Sequence, residues 1–171
     1  MVFQSNITMI ATDSYRAQLH ATIAALRYWA PGLRPAAEIE DEESASHWRL
    51  AARPHVANAC AFELVLQPAP RFDILVGDEA YEDVPLESFD LFLPLLTAIA
   101  QGRLVQRTAV SRNTGAWRTI ETLVTMADGT IWRGERVNEA LAHALAPVQC
   151  MLLERHFVPY LREDGSHGRP A

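Results

Sequence analysis

The chain has 171 residues, 49% of them apolar and 21% charged, with a formal charge of −6; one domain of that size can bury roughly 70% of its unfolded surface. The acidic balance excludes a general nucleic-acid binder, which would carry a basic footprint, and no apolar run approaches the ~18 residues that span a bilayer. All 15 basic residues are arginine, which excludes a lysine Schiff base, a lysine general base and the lysine of a phosphate-binding P-loop.

In chain order, residues 5–11 read as a short strand or ordered arm. Thr12 or Asp13 then caps a helix over about 14–29, where Tyr15, Leu19, Ile23, Leu26 and Trp29 recur at helical spacing until Pro31-Gly32 closes it. The run Glu38, Glu40, Asp41, Glu42, Glu43 has no arginine between Arg34 and Arg49, and reads as a solvated acidic loop. Cys60, Phe62, Leu64 and Leu66 alternate with their neighbours and predict a strand. Pro68-Ala69-Pro70-Arg71 turns the chain into a continuously apolar return strand, Phe72–Gly77. A second acidic loop, with Asp78, Glu79, Glu82 and Asp83, follows. Ser88 caps the apolar run 89–99, which Gly102 stops; Pro94 predicts a kink, or a short turn with the helix starting at the proline.

Three strands are expected at about 104–111, 117–126 and 130–136, separated by Asn113–Ala116 and by Asp128-Gly129, a strong hairpin signal. Asn138 caps a helix over about 139–145. Pro147 opens a last helix carrying Val148, Met151, Leu152, Leu153, Phe157 and Val158, which ends near Pro159, and residues 164–171 form a disordered tail. The order is α-β-β-α-β-β-β-α-α. It predicts a single α+β domain over 1–163, with an antiparallel sheet of about five strands and helices packed mainly on one face.

A two-residue turn at Asp128-Gly129 sets Val124 opposite Arg133 and Glu121 opposite Arg136, and a tight turn at Thr114-Gly115 sets Ile120 opposite Ala109. One face then carries Val105, Ala109, Ile120, Val124, Met126 and Ile131 toward the helices. The other carries Gln106, Thr108, Thr119, Glu121, Thr125 and Arg136, with Trp117, Leu123 and Trp132 among them. Indoles on a polar face need a partner or a cover. Trp117, Glu121, Leu123, Trp132 and Arg136 are therefore the interface candidates. Residues 103–136 hold six arginines and 73–90 hold seven acids, a segregation that suits two solvated faces or one subunit docked on another.

Motifs that carry chemistry are scarce in this chain. The histidines show no metal-ligand spacing, neither Cys60 nor Cys150 has a C-x-x-C partner, and there is no G-x-S-x-G elbow or G-x-G-x-x-G turn. Asp78, Glu79, Glu82 and Asp83 are the best acid–base candidates. Arg107, Arg112 and Arg133 are candidates for holding an anion, Arg112 within the loop Ser111–Gly115. No cofactor, metal, nucleic acid or membrane is expected, and no catalytic residue is assigned. Two lone cysteines and no visible signal peptide point to a cytoplasmic protein.

In its alternation of helices with short antiparallel strands, its acidity and its size, the chain resembles the small dimeric chaperones of type III secretion; no residue carries over. The favoured function is a non-catalytic protein-binding or dimerisation module: a homodimer, with a protein partner as a further expectation. The alternative is a small-molecule binder or enzyme with a pocket between the sheet and helix 86–101, acting on an anionic ligand.

Overall fold

A computed structural model describes the backbone of residues 3–142 and 149–161, and the side chains of 13–141 and 149–161. The fold is α+β with antiparallel sheets, as the sequence predicts, but the strands divide into two sheets. The expected tail at 164–171 lies outside the described residues.

Helix α1 runs from Phe3 to Trp29, so the first residues continue the helix and are not a strand or arm. Its stripe Leu19, Ile23 and Leu26 is buried, and a 3-10 turn at Ala30–Leu33, with Pro31 near its start, closes it. Five strands follow as a meander: β1 Ala37–Glu43, β2 Trp48–Pro54, β3 Phe62–Leu66, β4 Arg71–Val76 and β5 Glu79–Pro85. Alternation sends Trp48, Leu50, Phe62, Leu64, Phe72 and Ile74 into the core, each contributing about 1.5–3 kcal/mol by leaving water. The opposite face of this sheet carries Arg49, Glu63 and Asp73.

Both acidic loops of the sequence reading are strands. In β1 the charges are met by arginines from elsewhere. Arg27 of α1 bonds Asp41 at 2.7 Å and Glu43 at 2.9 Å, while Arg49 of β2 bonds Glu40 at 2.9 Å. Trp48 donates its indole N–H to Asp41 at 2.8 Å. Strand β5 likewise ties Asp83 to Arg71 at 2.8 Å.

Ser88 accepts the Asp90 N–H and opens a 3-10 turn, Phe89–Leu91, which leads into α2, Phe92–Ala100. Pro94 thus falls in the first turn of α2, where a proline costs no hydrogen bond. Gly102, at φ +69°, ends the helix and leads into the second sheet. This sheet contains β6 Leu104–Ser111, β7 Trp117–Thr125, β8 Ile131–Val137 and β9 Cys150–His156, in the order β8-β7-β6-β9. Helix α3 covers Glu139–Ala142; the rest of the expected 139–145 helix lies outside the described residues. The expected last helix is instead β9, paired antiparallel to β6 with Arg107 opposite Glu154.

Both hairpins of the second sheet are one residue out of the predicted register. Met126 donates its N–H to Thr130, and Gly129 donates to Met126. The loop is therefore Ala127-Asp128-Gly129, a turn whose last residue alone is left-handed, at φ +87°. Trp132 consequently faces Val124, and Arg136 faces Ile120. On the other side Thr108, not Ala109, faces Ile120, and a bulge between Ala109 and Val110 sets Trp117 opposite Val110. The inward face is thus Leu104, Gln106, Thr122, Val124, Trp132 and Gly134, while Val105, Ala109 and Ile131, assigned to the core from sequence, point outward.

Gly102 is held by more than its φ. An added Cβ would lie 2.7 Å from the Val158 carbonyl carbon, whereas at Gly129 it would meet open space. Left-handed backbone costs an L-residue about 1–2 kcal/mol, and the backbone clash roughly 1–3 more. Gly102→Ala should therefore lose about 3 kcal/mol in urea unfolding and Gly129→Ala about 1; equal losses would contradict this packing.

Candidate functional site

The two sheets meet at a buried polar seam. Tyr81 of β5 donates its hydroxyl to Thr122 Oγ1 at 2.7 Å. Gln106 donates its amide to the same oxygen at 3.1 Å and to the Val76 carbonyl at 2.9 Å. At the rim, Arg136 bonds Glu79 at 2.7 Å and Arg155 bonds Asp78 at 3.0 Å. Part of the charge segregation seen in the sequence is thus resolved inside one chain, and Glu79 is held in an ion pair.

Both indoles lie on this inward face, which corrects their placement on the outward one. Trp132 meets Tyr81 edge-to-face at 5.4 Å and 83°; an added Cβ on Gly134 would lie 2.6 Å from that tyrosine ring. Trp117 sits under the Arg136 guanidinium at 5.6 Å. Both rings are half-buried within the same chain, Trp132 against the core and Trp117 beneath Arg136. Of the interface candidates, only Glu121 and Leu123 face outward.

The outward face carries a row of charge across all four strands. Glu154, Arg107, Glu121 and Glu135 stand in register. Arg107 bonds Glu154 at 2.8 Å, and Arg133 bonds Glu121 at 2.6 Å. These pairs are largely exposed and contribute at most about 1 kcal/mol each. They do show how Arg107 and Arg133 are used: each already holds carboxylates. Arg112 is exposed in the β6–β7 turn, with no ion pair to a described residue.

The surface missed in the sequence is β9. All seven of its residues are exposed. Met151 at 45%, Leu152 at 59% and Leu153 at 47% form an unbroken apolar run on an edge strand. Leu152 shares the outward face with Glu154, and Met151 and Leu153 share the other with Arg155. Natural edges are blunted by charge, proline or bulges because their free N–H and C=O groups template another strand. The other three edges carry such guards. β1 is a run of acids crossed by Arg27, β5 has Pro85 and a bulge opposite Phe72–Ile74, and β8 has Arg133, Glu135 and Arg136. Met151–Leu153 carries none. A short apolar run between Pro147 and Pro159 was the available signal, but leucine and methionine read equally as helix.

Little here supports catalysis. His47 is bonded through Nδ1 to the Ser44 and Ser46 hydroxyls at 3.1 and 3.0 Å, contacts that close the β1–β2 turn. Among the described residues no cluster of three His, Cys, Asp or Glu has metal-binding geometry. Glu82 lies on the first sheet away from α2. No protein-family model, curated protein or solved structure matches the chain.

Cys60 is sealed in the core, and burial pushes its thiol from an ordinary 9.0 up to about 12, although the Arg155 charge opposes the shift. Burial raises the Tyr160 hydroxyl in the same direction. An unfolded chain would release both protons first, so stability present below about pH 9 should fall as pH climbs toward 12. Urea unfolding at pH 8 and pH 11 checks this. Cys60→Ala should shrink the decline, and an unchanged slope in that variant would exclude the thiol as a cause.

Proposed function

We propose that the protein is a non-catalytic interaction module that works as a homodimer, two copies pairing edge to edge along β9. The four strands of each second sheet would then form one continuous antiparallel sheet. The observation that carries this reading is the unguarded Met151-Leu152-Leu153 edge, in a fold whose other three edges are blunted.

The strand's own order supports a second copy as its partner. In an antiparallel pair related by a two-fold axis normal to the sheet, opposed residues must lie on the same face. With Leu152 on the axis, it meets its own copy on the outward face. Cys150 meets Glu154 of the second copy on that same face, and on the inward face Met151 meets Leu153. No like charges are opposed, and each of the three apolar side chains is covered by another. Burying the exposed half of each contributes about 1 kcal/mol, and each new backbone hydrogen bond about 0.5–1.5 kcal/mol net. The sealed, unpaired Cys60 thiol suits a reducing, cytoplasmic setting for the module.

Sedimentation over about 1–100 μM protein tests the pairing. The native chain should be dimeric at the upper end. Leu152→Glu and Leu152→Arg should each be monomeric with an unchanged circular dichroism spectrum, and an equimolar mixture of the two should recover the dimer, because the opposite charges meet at the axis. A native chain that stays monomeric throughout, or a Leu152→Glu chain that still dimerises, would overturn the reading.

A further inference from the structure

A pocket of about 430 Å³ opens at the C-terminal end of α2, within the range that holds small ligands. Trp29, Ala100 and Tyr160 supply apolar wall, and Thr97, Gln101 and Arg103 supply polar groups. None of the described lining residues belongs to β9, so the pocket stands whether or not two copies pair.

The walls are fixed before any ligand arrives. Trp29 and Tyr160 each stack on the Phe62 ring: Trp29 at 6.3 Å and 27°, Tyr160 at 6.5 Å and 16°. Tyr160 is tied twice more, its hydroxyl donating to the Cys60 carbonyl at 2.5 Å and its N–H to the Ala100 carbonyl at 2.8 Å. A helix C-terminus ordinarily repels an anion through its unpaired carbonyls. Here the last ones are already taken: Thr97 by Gln101, Ala98 by Arg103, Ile99 by Gly102 and Ala100 by Tyr160, all through backbone N–H groups.

The charge of the pocket is the deciding feature. Arg103 is exposed and makes no ion pair with a described residue, whereas Arg27, Arg49, Arg107, Arg133, Arg136 and Arg155 all hold carboxylates. No Asp or Glu is among the described lining residues, and Tyr160 stays neutral because burial raises its hydroxyl. In a chain of net charge −6, a preformed aromatic pocket thus carries one full charge, and that charge is positive.

We infer that this pocket binds a small amphipathic carboxylate, its apolar body against Trp29 and Tyr160 and its carboxylate on the Arg103 guanidinium. The arrangement needs no catalytic group; it is a holding site.

Titration calorimetry of the full chain with octanoate tests this, with 1-octanol and octylamine as probes of the same length. Octanoate should bind saturably, one per chain, and each control about tenfold or more weakly, since a charge-assisted pair is lost. Arg103→Gln should bring octanoate down to the level of octanol. Gln101→Trp, at an exposed position on the pocket rim, should abolish binding by filling the space. Thermal melts check that both variants remain folded. The inference is overturned if octanoate fails to saturate, if octanol or octylamine binds as tightly, or if a folded Gln101→Trp chain binds unchanged.

Discussion

Gln106 stands in the second sheet directly opposite Thr122, and from there its amide reaches the end of the first sheet. One N–H₂ group serves the Val76 carbonyl and the Thr122 hydroxyl, which also accepts from Tyr81. All three side chains are buried, so each unmade bond would cost about 1–3 kcal/mol of desolvation. This network is satisfied only if β6 and β7 pair with Gln106 against Thr122 and both turned inward. A slip of one residue would put Gln106 and Thr122 on opposite faces of the sheet and break the network that joins them to Tyr81 and Val76.

That single register decides which surfaces the molecule offers. Together with the β7–β8 pairing of Val124 and Trp132 it carries Trp132 inward onto Tyr81, and with the bulge that redirects Trp117 it removes both indoles from the open face. It leaves the outward face to the row Glu154-Arg107-Glu121-Glu135, a solvated surface. It also places β9 beyond β6 at the sheet margin, where the core of the first layer does not reach. Exposure of Met151, Leu152 and Leu153 is therefore a consequence of how the sheets are joined. Apolar residues at an open edge lower stability and invite association, and a second copy of the same strand resolves both.

The elements that could be read from sequence are those whose own periodicity names their partner. The stripe Leu19, Ile23, Leu26 specified α1, the alternation from Phe62 to Leu66 specified β3, and Ser88 and Gly102 marked the limits around α2. Strand β1 could not be read this way, because the charges that make its glutamates tolerable sit on Arg27, Arg49 and Arg53, in other elements. Strand β9 lacked alternation, and its leucines and methionine suit a helix as well as an edge exposed on both faces. The hairpin positions were legible but their register was not. Asp128-Gly129 fits a two-residue turn with two left-handed residues or a three-residue loop with one, and the second is the one that pairs Trp132 with Val124 and sets its ring on Tyr81. Of the candidate site, Glu121 and Leu123 were placed on the open face, whereas the indoles followed the register inward.

The most direct measurement of the account is amide hydrogen exchange along residues 150–156 as a function of protein concentration. An edge strand in a monomer protects only the N–H groups that point to β6, while a strand paired on both sides protects all of them. The account predicts alternating protection in dilute protein and continuous protection in concentrated protein. Alternating protection at every concentration would contradict it, because the outer edge of β9 would then have no partner strand.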